Sequence, residues 1–475
     1  MIIRPAKRIR GSITIPGDKS ISHRAAMIGA IANGTSRLTN YSTSADSAST
    51  ISCLENLGVR IDRTGAEVLV HGVGQNGLRA PIEELDCGNS GTTMRLLAGI
   101  LAGQNFTSIL TGDQSLRSRP MQRIIEPLEM MGAKVDSNNG RPPLTIHGRR
   151  PLKAIDYELL VASAQVKSCI LLAALNAQDK TTVVENQATR DHTERLLSLF
   201  GAHIETGNEP HKPDTARFAA LTGAIQLQAH DVLVPGDISS AAYFIAAAGL
   251  LPGSELELGG VGLNPTRNFF MNQMESLGLN AVSSQAHEKY NEPIGVVWVR
   301  GTKLERTATS LQLTLTVRGA LIPQLIDELP LLAVAGSQFA QGIEIRDAKE
   351  LRVKESDRIA ATVAGLRAMG CEVEEFDDGM RVNGPTKLKG AKIDSRGDHR
   401  IAMSFTIAGL LADGETEIVD ADCVAVSFPE FFDLLDSVIE RWNEPTDRHS
   451  RFHGLRQNNG RAGTRAVAGM RVHRS

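Results

Sequence analysis

The chain has 475 residues, 41% hydrophobic and 22% charged, which is enough apolar material for a large core and enough length for two or more domains. A formal net charge of -3 excludes the strongly basic surface of a nucleic-acid binder, so any anion site must be local. The five cysteines, Cys53, Cys87, Cys169, Cys371 and Cys423, are odd in number and form no C-x-x-C pair. That pattern argues against a disulfide framework or a zinc knuckle and suits a reducing cytoplasm. The start, Met1-Ile2-Ile3-Arg4-Pro5, lacks the apolar core of a signal peptide, and no apolar run reaches the roughly 18 residues of a membrane helix. A soluble, cytoplasmic protein with no membrane or nucleic-acid partner is expected.

Along the chain one short phrase recurs, an apolar helix end closing on Gly and followed by a strand-like alternation. It stands at Leu57-Gly58-Val59, Met131-Gly132-Ala133, Phe200-Gly201-Ala202, Leu277-Gly278-Leu279 and Met369-Gly370-Cys371, while a sixth helix, Phe428 to Ile439, ends without the glycine. Between these lie segments apolar almost all round, the mark of a helix buried on every side. They run Ala25 to Ile31, Met94 to Ala102, Cys169 to Leu175, Ala241 to Leu251, Leu329 to Ala335 and Ile401 to Leu411. Their starts, near Ser20, Gly91, Ala164, Ser239, Glu328 and His399, are spaced by 71, 73, 75, 89 and 71 residues, so six copies of one α/β unit fill the chain. Each unit reads as strand, buried helix, strand, amphipathic helix and hairpin, the last clearest at Asp377-Asp378-Gly379. Pro16-Gly17-Asp18-Lys19-Ser20 recurs as Pro235-Gly236-Asp237-Ile238-Ser239, which pairs the units into two domains of three.

Polar residues concentrate where the buried helices begin, and first-turn amides there need partners, so helix starts converging on one cleft would make an anion site. Lys19, Ser20 and Arg24 open the first such helix, and Asp86 to Arg95, with Gly91 and Thr92, leads into the second. Arg117-Ser118-Arg119-Pro120 places guanidinium groups before a helix with Pro in its first turn, a geometry for gripping carboxylate or phosphate. Ser163-Ala164-Gln165 and Thr189-Arg190-Asp191-His192-Thr193 add neutral donors and one more Arg. Asp327-Glu328 holds carboxylates at another helix mouth, and Leu351 to Arg358 sets Lys354, Glu355 and Arg358 together, where a Lys and a carboxylate could exchange protons with substrate. Arg400 opens one of the most apolar helices, where only an anion explains a guanidinium. Gly72-Val73-Gly74-Gln75-Asn76-Gly77 matches G-x-G-x-x-G but leads into no helix, and neither a phosphate-binding G-x-x-x-x-G-K-[ST] loop, an H-E-x-x-H pair nor a G-x-S-x-G elbow occurs. The expected site is rich in Lys and Arg, carries one or two carboxylates and lacks metal ligands and organic cofactors.

Together, Pro16 to Arg24, Gly88 to Arg95, Ser163-Ala164-Gln165, Arg190, Arg352 to Arg358, Asp398 to Arg400 and Ser427-Phe428-Pro429-Glu430 resemble the EPSP synthase family, in order, over about residues 1 to 440. The resemblance implies two similar domains, each of three βαβαββ repeats, an inside-out α/β barrel with substrates between the domains. The expected division is 15–234 for one domain and 1–14 with 235–440 for the other. It also implies transfer of the enolpyruvyl group of phosphoenolpyruvate to shikimate-3-phosphate by a monomer. Lys19, Ser20, Arg24, Ser163, Gln165, Arg190, Asp327 and Lys354 would hold shikimate-3-phosphate. Lys19, Gly91, Thr92, Arg119, Gln165, Arg358 and Arg400 would hold phosphoenolpyruvate, with which glyphosate competes in this family. Asp327, Lys354 and Glu355 would move protons.

Two positions depart from the commonest family pattern: Ala164 stands where many members have Ser, and Val426 where many have Lys. The rival is UDP-N-acetylglucosamine enolpyruvyl transferase, which typically carries a reactive Cys in a loop that here reads Leu116-Arg117-Ser118-Arg119-Pro120 and has none. A non-catalytic sugar-phosphate binder could dispense with Asp327, Lys354 or Glu355, and all three are present. The segment Pro445 to Ser475, with seven Arg, three His and little apolar material, reads as a disordered tail.

Overall fold

A computed structural model describes residues 1–209, 216–223, 225–284, 287–302 and 314–442; the Arg-rich segment 445–475 lies outside them. Six helices form the interior: α1 (Lys19–Ala30), α2 (Gly91–Ala102), α3 (Ala164–Ala174), α4 (Ile238–Leu250), α5 (Leu329–Gly336) and α6 (His399–Leu411). Every residue of α2, α4 and α5 is buried, as their all-round apolar sequences require. Amphipathic helices such as Ala45–Asn56, Gln122–Met130 and Arg358–Ala368 alternate with them. Gly58, Gly132, Gly201, Gly278 and Gly370 end such helices with φ of 87°, 99°, 94°, 91° and 86°, which only glycine adopts without strain. The sequence spacing reported these five stops through that requirement.

Four-stranded sheets follow one rule. Leu85–Asp86 runs parallel to Thr107–Thr111, which pairs antiparallel with Arg141–His147 and through it with Lys134–Asn138. The same order holds for Asp156–Glu158, Lys180–Glu185, Arg217–Thr222 and Ile204–Asn208, and for Leu315–Val317, Ile343–Ile345, Gly379–Val382 and Val373–Phe376. The parallel first pair is the crossover that the intervening buried helix makes possible. The sixth unit departs from the repeat: its third strand is Ile2–Ile3, antiparallel to Thr416–Val419, and that sheet has three strands among the described residues. The predicted last helix, Phe428 to Ile439, forms over Phe431–Val438, and Ile439–Glu440 pairs with Arg8–Thr14.

The two P-G-D turns are where the chain exchanges strands. Arg8–Thr14 precedes α1 but pairs parallel with Glu255–Gly262, whereas Val232–Leu233 precedes α4 but pairs parallel with Asn33–Thr39. At the crossing, the Asp18 amide donates to the Pro235 carbonyl (2.7 Å) and the Asp237 amide to the Pro16 carbonyl (2.9 Å), a reciprocal pair. The buried apolar residues fall into two clusters, Ile21 to Val234, and Ile3 to Ile15 with Ile238 to Ile439, called below the first and second halves. Among the described residues no single helix is long and apolar enough to cross a membrane; Gly319–Leu325 and Leu329–Gly336 satisfy length and composition only as a pair bent by 109°.

Gly17 lies in this crossing, and a Cβ there would stand 1.7 Å from the Asn40 carbonyl oxygen and 3.1 Å from a Val234 methyl. The backbone contact cannot rotate away, so Gly17→Ala should destabilise by about 2 kcal/mol or more. Urea unfolding measures it, and a variant within about 0.5 kcal/mol of native would mean the crossing is loosely packed.

Candidate active site

The first turns of α1, α2, α3, α4 and α6, with Ile326 and Asp327 just before α5, meet at one cavity of about 290 Å³ between the halves. Their caps differ from a simple Ser rule. Asp18, not Ser20, caps α1 by accepting from the Ile21 amide (2.8 Å), leaving Lys19 and Ser20 free to face the cavity. Ser90, Ser163 and Asp398 cap α2, α3 and α6. Glu328 makes no cap bond to α5 and instead accepts from the buried Ser239 hydroxyl. Each side-chain cap is worth about 1 kcal/mol and fixes where the following residues point.

Lys19, Ser20, Arg24, Gly91, Thr92, Arg119, Ser163, Gln165, Arg190, Asp327, Lys354, Glu355, Arg358 and Arg400 all line this cavity. Ten Lys and Arg side chains line it against six Asp and Glu, so a chain of net negative charge has gathered a local cationic surplus that calls for anionic ligands.

On the first half, Arg24 is buried and held by three bonds: Nε to Thr193 Oγ1 (2.7 Å), Nη2 to Ser168 Oγ (2.8 Å) and Nη1 to the Ser20 carbonyl (2.9 Å). Gln165 donates to Thr92 Oγ1 (2.9 Å) and accepts from Arg95 (2.5 Å), tying α3 to α2. Lys19 Nζ lies 2.8 Å from Asp46. Burial, with Arg190 nearby, lowers Arg24 to about 10, and burial with Arg123 and Arg119 nearby lowers Arg95 to about 9. Crowded cations of this kind favour a bound anion.

The second half contributes Asp327 and Glu355, and arginines hold both. Asp327 takes Arg190 at 2.5 Å and Arg358 at 3.4 Å; Glu355 takes Arg358 at 2.6 Å and Arg119 at 3.4 Å. Arg358 is itself 1% exposed and fixed from behind by Asp398 (2.8 Å). Burial would raise both acids, but Arg190, Arg400, Lys354 and Arg358 hold Asp327 well below the usual range, and Arg358, Arg119 and Lys354 do the same to Glu355. Lys354 moves down, because burial outweighs the attraction of Glu350, Asp327 and Glu355. His399, buried beside Lys19 and Arg400, is held well below its ordinary value and is neutral at neutral pH. Arg400 is 6% exposed, and among the described residues its Nε has no hydrogen-bond partner.

Several lining residues were not singled out from sequence. Arg95 sits in the otherwise apolar α2, the same signal that marked Arg400, so it was detectable. Arg123 pairs with Glu350 (2.8 Å) across the halves, a contact of residues far apart in the chain that no local spacing announces. Arg267, Asp237 and Asp46 belong to the same group. Arg352, part of the quoted motif, points elsewhere, to Asp357 (2.7 Å) and Glu375 (3.1 Å). Pro120 lies between the short helix Gln114–Ser118 and Gln122–Met130 rather than in a first turn. Ala164 lines the cavity, whereas Val426 does not. None of the five cysteines lines it, and among the described residues no group of three His, Cys, Asp or Glu could hold a metal ion.

The fold is that of an enolpyruvyl transferase: the enolpyruvyl transferase NikO from Streptomyces tendae matches with a TM-score of 0.73 at 16% identity, over 92% of this chain and 97% of that one. The chain belongs to the EPSP synthase (3-phosphoshikimate 1-carboxyvinyltransferase) family, whose model matches residues 3–435. A 3-phosphoshikimate 1-carboxyvinyltransferase of Koribacter versatilis is 49% identical over 440 residues, 92% of this chain and 99% of the relative. Its counterpart from a Geobacter species is 46% identical over 442 residues, with the same coverage. The solved EPSP synthase of Acinetobacter baumannii has a TM-score of 0.79 and 39% identity, covering 92% of this chain and 97% of that one.

A carboxylate depressed in the folded state adds stability that is complete above its unfolded pKa, about 4.3 for Glu, and is lost as pH falls through the folded value. In the ligand-free protein, Glu355→Gln removes one such group. Its melting temperature should therefore fall less steeply than that of native protein between about pH 5 and pH 3. Parallel melting curves would show that the arginines do not hold Glu355 ionised.

Proposed function

We infer that this protein transfers the enolpyruvyl group of phosphoenolpyruvate to the 5-hydroxyl of shikimate-3-phosphate, releasing phosphate, in the shikimate pathway toward chorismate and the aromatic amino acids. The observation that carries the reading is the pairing of Asp327 and Glu355 with arginines that two anionic substrates would claim. Shikimate-3-phosphate would take Lys19, Ser20, Arg24, Ser163, Gln165 and Arg190, and phosphoenolpyruvate would take Arg119, Arg358 and Arg400 beside Gly91 and Thr92. The division into domains 15–234 and 1–14 with 235–440, closing on the substrates, belongs to the same proposal.

While its arginines are bound to it, each carboxylate is a weak base. When substrate anions occupy Arg190, Arg119 and Arg358, Asp327 and Glu355 lose the partners that depress them and gain proton affinity. Asp327 then takes the proton of the attacking hydroxyl, while the Lys354 ammonium or a protonated Glu355 delivers a proton to the methylene carbon. A C–O bond forms between the hydroxyl oxygen and the cation-like carbon. The group that delivered the proton, now unprotonated, takes one back from the resulting methyl group as the C–O bond to phosphate breaks, and this completes the transfer. Arg119, Arg358 and Arg400 stabilise the departing phosphate.

The assay is phosphate release from phosphoenolpyruvate with either shikimate-3-phosphate or UDP-N-acetylglucosamine as acceptor. Release should need shikimate-3-phosphate, and release with the nucleotide sugar alone would overturn the assignment. In that assay Asp327→Asn should slow turnover by roughly a hundredfold, the scale of a lost general base. Near-native turnover would remove Asp327 from the mechanism.

A Cβ on Gly91 would meet Arg95 Nη1 at 2.9 Å and Arg119 Nη1 at 3.4 Å, both ends of flexible side chains, so Gly91→Ala should fold normally. The methyl crowds the phosphoenolpyruvate side, and glyphosate is the longer competitor. One methyl discriminates by about 1 to 3 kcal/mol, so inhibition by glyphosate should weaken at least about tenfold, with a smaller rise in the KM for phosphoenolpyruvate. Equal inhibition constants for native and variant protein would place Gly91 outside that pocket.

A further inference from the structure

Behind the wall that carries Arg24, Thr189 and Arg190 lies a buried ionic triad that the mechanism does not use. Lys167, in the first turn of α3, is 1% exposed, and its Nζ lies 3.0 Å from Glu185 and 2.7 Å from Glu194. Both carboxylates are buried, at 4% and 6% exposure. One ammonium for two carboxylates is an expensive group to bury, because each ion must recover its lost hydration from its partners. Burial raises the Glu194 carboxyl despite Lys167, and among the described residues its Oε2 has no hydrogen-bond partner. For stability alone an apolar trio of like volume would serve as well or better.

What distinguishes this triad is what its members touch. Glu185, at the end of the strand Lys180–Glu185, accepts from the Thr189 hydroxyl (2.6 Å), and Thr189 lines the cavity immediately before Arg190. Glu194 lies in the helix His192–Leu199 that follows Arg190. The residue after Lys167, Ser168, and the residue before Glu194, Thr193, share a hydrogen bond of 2.7 Å, and both accept from Arg24. Lys167 is thus the point at which α3, the strand and the helix are drawn together. The segment bearing Thr189 and Arg190 is held at both of its ends by the same ammonium.

We propose that Lys167, acting through Glu185 and Glu194, is a positioning residue that sets the affinity for the phosphorylated acceptor by fixing Thr189, Arg190 and Arg24. The inference rests on the assignment of Arg24 and Arg190 to shikimate-3-phosphate made above. The three arginines proposed for phosphoenolpyruvate, Arg119, Arg358 and Arg400, stand on other elements, so the two substrates should respond differently.

Steady-state phosphate release tests this with each substrate varied at saturation of the other. Lys167→Met should raise the KM for shikimate-3-phosphate at least about tenfold while that for phosphoenolpyruvate changes less than about threefold. Thr189→Val, which removes the hydroxyl link and leaves the ions paired, should show the same split more weakly, and it covers the case in which Lys167→Met does not fold. The triple change Lys167→Met, Glu185→Gln and Glu194→Gln leaves no buried charge, so it should recover melting temperature without recovering acceptor KM. If native protein is active and a folded variant of either single kind keeps the native acceptor KM, or raises both KM values equally, the inference fails alone. If native protein releases no phosphate with shikimate-3-phosphate, the parent assignment fails and this one with it.

Discussion

Guanidinium groups of the first half meet carboxylates of the second across the cavity, and the rest of the structure is arranged to make that meeting possible. Arg190 reaches Asp327, Arg119 reaches Glu355 and Arg123 reaches Glu350. In a partly buried site such pairs are held tightly only if desolvation is repaid by close geometry, and several side chains are fixed from behind for that purpose. Asp398 clamps Arg358, and Thr193 with Ser168 clamps Arg24. On the proposed function, the substrates' negative charges would take the arginines that the enzyme's own carboxylates hold. Binding would then be an exchange of anions, and on that proposal the exchange would arm Asp327 and Glu355.

Helix starts are the local means of building this site. Six buried helices cannot leave their first-turn amides unsatisfied, so polar side chains gather there, and the sheets turn those ends toward one cavity. The exchange of Arg8–Thr14 and Val232–Leu233 between the halves joins them through two backbone crossings whose amides bond reciprocally. Those crossings end at Asp18 and Asp237, so the same turns that join the halves also open α1 and α4 onto the cavity. One short motif, used twice, therefore both joins the halves and opens a helix onto the cavity.

Much of this was legible in the amino-acid sequence because its causes are local. A glycine at φ near 90° after an amphipathic helix, an apolar stretch with no polar face, and a lone arginine in such a stretch each leave a mark within a dozen residues. Arg400 was visible by the last of these, and Arg95 could have been. Ser is a common cap, yet at the start of α1 Asp18 and not Ser20 takes that bond, and only the backbone path shows it. Contacts distant in the chain left no such mark. Nothing near Ile2–Ile3 indicates that it completes the sheet of the sixth unit, and nothing near Arg123 points to Glu350. Lys167 is the clearest case, since its place in the first turn of α3 gives no hint of two buried glutamates 18 and 27 residues further on.

The claim that substrates displace the enzyme's own carboxylates is tested most directly by a crystal structure with shikimate-3-phosphate and inorganic phosphate bound together. The account predicts Arg190 at hydrogen-bond distance from the sugar phosphate and no longer on Asp327, with the inorganic phosphate on Arg119, Arg358 and Arg400 and Glu355 released. Both ligands bound while the Arg190–Asp327 and Arg119–Glu355 pairs persist unchanged would contradict it.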